Sequence, residues 1–164
     1  MQNKDIIMIS LDTSTANSGV AIWKNGVLDN CFSFKKPAKE APGNSWMTTQ
    51  LFDLFNRINP DIIILEAVNV MNNMKTMTEL VTLIGRIQGF CIAKDIFYDD
   101  MGPNKWRKLI SPDEVIPRKR AETKPWAIKK VKELFHITEE DDNICEAILI
   151  GQAYINLTER EKTV

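Results

Sequence analysis

The sequence is poor in the residues that soft-metal sites and most nucleophilic sites require. It has one histidine, His136, and three cysteines, none of which form a CxxC pair. A zinc site built on Cys and His, a Cys/His nucleophilic pair and a Ser/His/Asp triad are therefore not indicated. The odd cysteine count also argues against a disulfide framework. We expect Cys31, Cys91 and Cys145 to be reduced thiols in a cytoplasmic protein.

Long apolar runs are also absent from the sequence. No stretch approaches the ~18 residues that a membrane-spanning helix needs, so we expect no membrane partner. The chain has 164 residues, of which 44% are hydrophobic. That length and composition are typical of one globular domain with its own core. No internal repeat, linker or low-complexity tract divides it, so we expect a single domain over residues 1–164.

Three acidic positions, in contrast, adjoin predicted strands or a predicted helix. Asp12 follows the apolar run 6–11, Glu66 follows the Ile-rich run 61–65, and an acidic cluster over 141–146 begins an apolar helical pattern. Acids brought together at such places repel one another unless a cation neutralises them. Carboxylate oxygens are the ligands that Mg²⁺ and Mn²⁺ prefer. The pattern therefore predicts a metal-dependent chemistry on phosphodiesters.

The periodicity predicts five strands and five helices, and hence an α/β fold with a mixed central sheet. The strands are expected near 6–12, 19–23, 27–34, 61–66 and 96–98. The helices are expected near 45–58, 76–94, 103–110, 123–135 and 142–154. Asn25-Gly26 is a strong signal for a tight hairpin between the second and third strands. Pro125 is expected in the first turn of its helix, where proline is tolerated.

The acids can converge if the strands that carry Asp12 and Glu66 are neighbours in the sheet. Asp142 and Glu146 are four residues apart and share a helix face, and Asn143 is adjacent to Glu146 on that helix. Such a cluster can hold two hard cations roughly 3.5–4 Å apart, as in-line phosphodiester displacement requires. The alternative for Asp142 is that it only caps the last helix.

A basic segment precedes the acidic one. Residues 104–132 contain ten Lys/Arg and three Asp/Glu, whereas residues 133–164 contain two Lys/Arg and eight Asp/Glu. This asymmetry is typical of a protein that holds a polyanion beside metal ions. The residues expected to hold the phosphates of such a polyanion are Lys105, Arg107, Lys108, Arg118, Lys119 and Arg120. Trp106 and Trp126 lie among them and either stack on exposed bases or belong to the core.

Several of these motifs together resemble the RuvC-type Holliday-junction resolvases. The segment 9–22 resembles the family's opening motif, in which an Asp ends the first strand and a Gly begins the second. The segment 64–66 is similar to its second acidic motif, 83–89 to the small-residue helix that follows, and 142–148 to its final acidic helix. The resemblance extends in order over almost the whole chain and is nearest to the compact, phage-encoded members, whose proteins act in the bacterial host cytoplasm.

The resemblance implies an RNase H-like fold, a homodimer and Mg²⁺-dependent cleavage of branched DNA, with Mn²⁺ as a substitute. It implies that Asp12, Glu66 and Glu146 are catalytic metal ligands. The fourth ligand is Asp142 or Asn143, of which we favour Asp142 because a carboxylate binds Mg²⁺ better than an amide does. Lys124 resembles the family's catalytic-site lysine.

One position departs from the family pattern. Many bacterial members have an aromatic residue three positions after the second acid, where it can stack on junction bases, and here that position is Asn69. We therefore expect cleavage of three-way and fork-like DNA as well as four-way junctions.

Two other functions remain open from the sequence. The segment 11–15 also resembles the first phosphate loop of actin-like ATP-binding proteins, although no Gly-rich second loop follows Glu66. The second is a branched-DNA-binding protein without cleavage, because Asn143 occupies a position where the family usually has an acid.

Overall fold

A mixed five-stranded sheet forms the centre of the protein, in a computed structural model that describes residues 4–39, 42–68 and 73–162. The strands are β1 (Ile7–Asp12), β2 (Asn17–Lys24), β3 (Val27–Lys35), β4 (Ile62–Glu66) and β5 (Phe97–Met101), in the spatial order β3-β2-β1-β4-β5. The first three strands form an antiparallel meander, and β4 and β5 run parallel to β1.

Five helices flank this sheet within the described residues. They are α1 (Gly43–Ile58), α2 (Met74–Lys94), α3 (Pro103–Ile110), α4 (Arg120–Phe135) and α5 (Asp142–Lys162). None of them is long and apolar enough to cross a membrane. The predicted number, type and order of the elements are confirmed, although several boundaries differ.

Both faces of the sheet are covered, which explains why β1 is buried on both faces and is apolar apart from Ser10 and Asp12. Ile9, Leu11 and Val20 point to one face and pack with buried residues of α1 and α2. Met8, Ala21 and the other alternate residues point to the opposite face and pack with α3, α4 and α5. This alternation follows from the two-residue period of a strand.

Helix α5 is fixed against the sheet by a buried polar contact. Ser10 Oγ donates to the carbonyl of Ala147 at 2.7 Å and accepts from Trp23 Nε1 at 2.9 Å. A Cβ added to Gly151 would lie 2.5 Å from Ser10 Oγ, so only glycine permits this approach of helix to sheet. The contact determines where the acidic first turn of α5 lies.

Local signals in the sequence correspond to local structure, with one correction. Asn25 and Gly26 both have positive φ, 52° and 79°, which confirms the tight hairpin. The prediction for Pro125 is wrong, because α4 begins at Arg120 and Pro125 lies in its interior. Proline has no N–H, so the carbonyl four residues earlier loses its usual helical partner. Asn69 lies outside the described residues.

Candidate active site

The register of the sheet brings the first two acids together. Leu11 of β1 pairs with Leu65 of β4, and the two strands are parallel. Asp12 and Glu66, the next residue of each strand, therefore emerge side by side at the same edge of the sheet. The prediction that these two acids lie side by side is confirmed.

The first turn of α5 reaches the same edge because Gly19 has no side chain. Gly19 is the partner of Asp12 in the antiparallel ladder. A Cβ on Gly19 would lie 1.8 Å from the backbone oxygen of Asn143, a separation that no side chain tolerates. The glycine thus lets the backbone of α5 contact β2 directly, beside Asp12.

Asp141, and not Asp142, caps α5. Asp141 Oδ1 accepts from the backbone N–H of Asn143 at 2.9 Å and from its side-chain Nδ2 at 2.9 Å. Its other oxygen accepts from Asn17 Nδ2 at 3.3 Å and Ser33 Oγ at 3.1 Å. Burial raises the pKa of Asp141, but these hydrogen bonds outweigh it and hold the pKa below its ordinary value. The alternative that Asp142 is only a cap is therefore wrong.

All five residues expected to bind metal line one cleft of about 420 Å³. Asp12 and Glu66 contribute from the sheet edge, and Asp142, Asn143 and Glu146 contribute from α5. Three of the carboxylates bond to donors from other helices. Trp106 Nε1 donates to Glu66 at 2.9 Å, Arg107 Nη2 pairs with Glu146 at 3.2 Å, and Lys124 Nζ pairs with Asp142 at 2.6 Å.

Asp12 differs from the other acids because its side chain has no hydrogen bond or ion pair to any part of the chain that the structure describes. Burial, and then the charges of Glu66, Glu146 and Asp142, raise the pKa of Asp12 well above its ordinary value. Burial also raises the pKa of Glu66 and Glu146, opposed by Trp106 at Glu66 and by Arg107 at Glu146. A cluster of buried carboxylates with raised pKa values is typical of a functional site.

The donor set fits a hard divalent cation. It offers carboxylate and amide oxygens and no sulfur or imidazole, which is the chemistry that Mg²⁺ and Mn²⁺ prefer. Within residues 4–39, 42–68 and 73–162, no three Asp, Glu, His or Cys side chains are arranged around one ion position. Three of the acids bond instead to the indole, guanidinium and ammonium groups named above, so holding an ion requires these side chains to change partner.

The basic residues divide into two groups. Arg107, Arg118, Arg120 and Lys124 line the cleft itself. The remaining predicted DNA contacts, Lys105, Lys108 and Lys119, are exposed but do not line the cleft. The structure thus brings cations and carboxylates together in the cleft and places other cations outside it.

The two tryptophans are core residues, so of the two alternatives for them core packing is confirmed and stacking on bases is not. Trp106 is fully buried and Trp126 is 9% exposed, with ring centroids 6.1 Å apart. The guanidinium of Arg107 lies over the Trp106 ring, 4.6 Å from its centroid. The hydrogen bond from Trp106 to Glu66 escaped sequence reasoning. The one signal in the sequence was a tryptophan beside basic residues in a short helix.

Solved structures provide a comparison for this architecture. Thermus thermophilus RuvC in complex with a Holliday junction substrate has a TM-score of 0.72 and 9% identity, covering 94% of this chain and 96% of that chain. The chain has the RNase H-like fold of RuvC-type resolvases. The yeast mitochondrial Holliday junction resolvase has a TM-score of 0.67 at 12% identity, covering 95% of this chain and 82% of that one.

A viral resolvase shares the RuvC-like fold at lower similarity. Fowlpox virus resolvase with its substrate Holliday junction DNA has a TM-score of 0.56 and 16% identity, covering 97% of this chain and 99% of that one. No protein-family model matches the sequence, and no curated protein matches it. The likeness is therefore one of fold, and the order of acidic motifs in the sequence agrees with it.

Proposed function

We propose that this protein is a divalent-metal-dependent endonuclease that cuts Holliday junctions and other branched DNA. The observation that carries the proposal is the cluster of Asp12, Glu66, Asp142 and Glu146 in one cleft that Arg107, Arg118, Arg120 and Lys124 also line. Phosphodiester cleavage needs carboxylates for metal ions and cations for the flanking phosphates, and this cleft offers both. A RuvC-like fold supports the same conclusion.

Asp12, Glu66 and Glu146 would hold Mg²⁺, or Mn²⁺ in its place, with Asp142 as the fourth ligand. Asp142 is preferred to Asn143 because a carboxylate binds Mg²⁺ better than an amide does, and because the Asn143 side chain is held by the capping residue Asp141 through its Nδ2. The chemistry that the metal supplies when bound is a lowered pKa of water and stabilisation of the leaving oxygen. Asp12 contributes a buried carboxylate with no competing partner among the residues that the structure describes.

Lys124 and Arg107 would contribute positive charge to the reaction. Each is paired with a carboxylate of α5, and each lines the cleft. Arg107 Nε is buried without a hydrogen-bond partner in the described part of the chain, so its guanidinium is not fully satisfied there. In the complex with DNA, these groups would stabilise charge on the scissile phosphate, with Lys124 as the catalytic lysine.

The substrate proposal is branched DNA with broad geometry. Two of the similar structures are complexes with Holliday junctions, from T. thermophilus and fowlpox virus. Asn69 in place of an aromatic residue favours cleavage of three-way and fork-like DNA in addition to four-way junctions. We place the reaction in the cytoplasm, that of a bacterial host if a phage encodes the protein.

A homodimer would supply the two active sites that paired cuts across a junction require. The surface that favours it is the exposed face of α2, where Val81 is 47% exposed. A Cβ added to Gly85 or Gly89 would meet nothing within 4 Å, so a second helix could approach this face closely. Val81→Glu should convert a dimer to a monomer in light scattering, and a wild-type protein that is already monomeric would contradict the proposal.

The deciding experiment is incubation with a labelled four-way junction and Mg²⁺, with a linear duplex of the same sequence as control. We expect cleavage of the junction alone, lost in Glu146→Gln and in chelator. Asp142→Asn should be nearly inactive while Asn143→Ala retains much of the activity, and the reverse ranking would move the ligand to Asn143. Junction binding without any cleavage would favour the non-catalytic alternative, and ATP binding would favour the actin-like one.

A further inference from the structure

We propose that Val115 is an apolar wedge that contacts unstacked bases at the branch point of the DNA. This inference rests on the proposed function and identifies a further part of the substrate-binding surface. Val115 lies between α3 and α4, in the connection 111–119. Its exposure of 96% is the highest among the large hydrophobic residues that the structure describes as exposed.

The residue before Val115 is tied to the body of the protein. Glu114 accepts a hydrogen bond and ion pair from Lys130 Nζ, and a further hydrogen bond from Trp126 Nε1 at 3.4 Å. Lys130 is itself buried, at 7% exposure, and also pairs with Glu133 at 3.0 Å. A buried lysine shared between two glutamates is costly to arrange, and here it anchors the connection to α4.

The residue after Val115 is anchored as well. Ile116 packs against the core cluster that contains Trp106 and Trp126. Pro112 and Pro117 further restrict the backbone on either side. The residues on both sides of Val115 are therefore fixed to the body of the protein, while its own side chain points into solvent. An apolar group fixed in this way is already ordered before it binds, which lowers the entropic cost of contact.

The cations that follow Val115 suit a branched polyanion as its partner. Arg118 and Arg120, which line the cleft, follow it closely, and Lys119 between them is exposed. Three residues of chain span at most about 11 Å, so Val115 lies within one or two nucleotides of the cleft rim. Cations would hold the phosphates while the isopropyl group contacts the bases that a branch point leaves unstacked. Proteins that kink DNA insert apolar wedges of this kind.

The test uses a four-way junction with 2-aminopurine at the branch point, in Ca²⁺ so that binding is measured without relying on cleavage. Wild-type protein should raise the fluorescence as the base unstacks. Val115→Ser should remove most of that rise and weaken junction binding roughly three- to tenfold, with binding to linear duplex unchanged. Val115→Phe should increase both the fluorescence and the preference for the junction.

The matched control is Val27→Ser. Val27 is also exposed, at 69%, but it follows the hairpin turn at the opposite end of β1 from Asp12. It should leave both readouts at the wild-type level. The wedge proposal is overturned if Val115→Ser weakens binding to the junction and to the duplex equally, leaves the fluorescence unchanged, or changes the oligomeric state. Failure of the wild-type protein to prefer or cut junctions would instead overturn the proposed function.

Discussion

At the scale of one residue, Asp12 is a site where the active-site chemistry lowers the stability of the fold. It is buried, surrounded by other carboxylates, and without a hydrogen bond or ion pair inside the described structure. Glu66, Asp142 and Glu146 each have a protein donor, so the unfavourable charge is concentrated on Asp12. Active sites commonly hold such unfavourable arrangements because the chemistry requires them.

Asp12→Asn should therefore stabilise the protein in chelator by about 1–2 kcal/mol at neutral pH while it abolishes cleavage. Because the folded-state pKa of Asp12 is raised, its carboxylate destabilises the fold only where it is ionised. The gain should shrink as the pH falls and Asp12 becomes protonated. Chemical denaturation at two pH values checks this. Asp53→Asn, at an exposed position of α1, is the control, and an equal gain there would contradict the assignment.

Trp106→Phe tests whether the indole N–H orients Glu66. The substitution keeps an aromatic ring in this buried position but removes the N–H donor. Loss of a group that orients a metal ligand typically costs about 10–100-fold in metal affinity. We expect weaker Mn²⁺ binding by electron paramagnetic resonance and a raised metal requirement for cleavage.

Trp126→Phe is the matched control for that change. Trp126 is also buried, but its N–H bonds to Glu114 outside the carboxylate cluster. Its Mn²⁺ affinity should stay at the wild-type value. Equal losses in the two variants would mean that ring packing, and not the hydrogen bond, supports the site.

At the scale of elements, the site depends on where α5 meets the sheet. Gly19 of β2 lets the first turn of α5 contact the backbone of the sheet. Gly151 of α5 lets the middle of the helix contact the side chain of Ser10. Ser10 links the sheet to the carbonyl of Ala147 between them. The acidic residues of α5 are therefore positioned by the packing of the helix as a rigid unit, because none of these contacts involves the acids themselves.

Gly19→Ala should displace the first turn of α5, since its Cβ would overlap the Asn143 carbonyl. We expect a loss of several kcal/mol in the free energy of unfolding, in the upper range for single substitutions, and loss of cleavage. Gly102→Ala, where an added Cβ also meets nothing within 4 Å, should instead cost no more than about 1 kcal/mol, since it changes only the N-cap of α3. Thermal unfolding of both variants measures the difference, and equal melting temperatures would refute the close-approach argument.

At the scale of the molecule, opposite charges meet at one edge of the sheet. The basic segment 104–132 includes α3 and most of α4, and the acidic segment that follows includes α5. The cations outside the cleft, such as Lys119, would hold DNA arms while those inside contact the scissile phosphate. This division predicts that affinity and cleavage respond to different residues.

Lys119→Ala should flatten the dependence of log affinity on log salt by roughly 0.9, for junction and duplex alike, without changing single-turnover cleavage. The matched control is Lys94→Ala at the C-terminus of α2, about 15 Å along that helix from Ile84, the last residue of α2 that lines the cleft. It should leave the slope unchanged. A slope unaffected by Lys119→Ala would remove this lysine from the DNA surface.

The sequence by itself determined the type and order of the elements and which acids adjoin them. Those signals are local. An Ile-rich run ending in Glu66 favours a strand, and Asn25-Gly26 favours a hairpin. The order of the motifs was also sufficient for the resemblance to resolvases, and the RuvC-like fold confirms that resemblance.

Only the tertiary structure decided which side chain meets which. Trp106 bonds to Glu66 across 40 positions of sequence, and Gly19 contacts Asn143 across more than a hundred. Asp141 became the helix cap in place of Asp142 because Asn17 and Ser33, from two strands, converge on it. These contacts follow from how helices pack on the sheet, and no periodicity or local motif specifies a distance between residues so far apart in the chain.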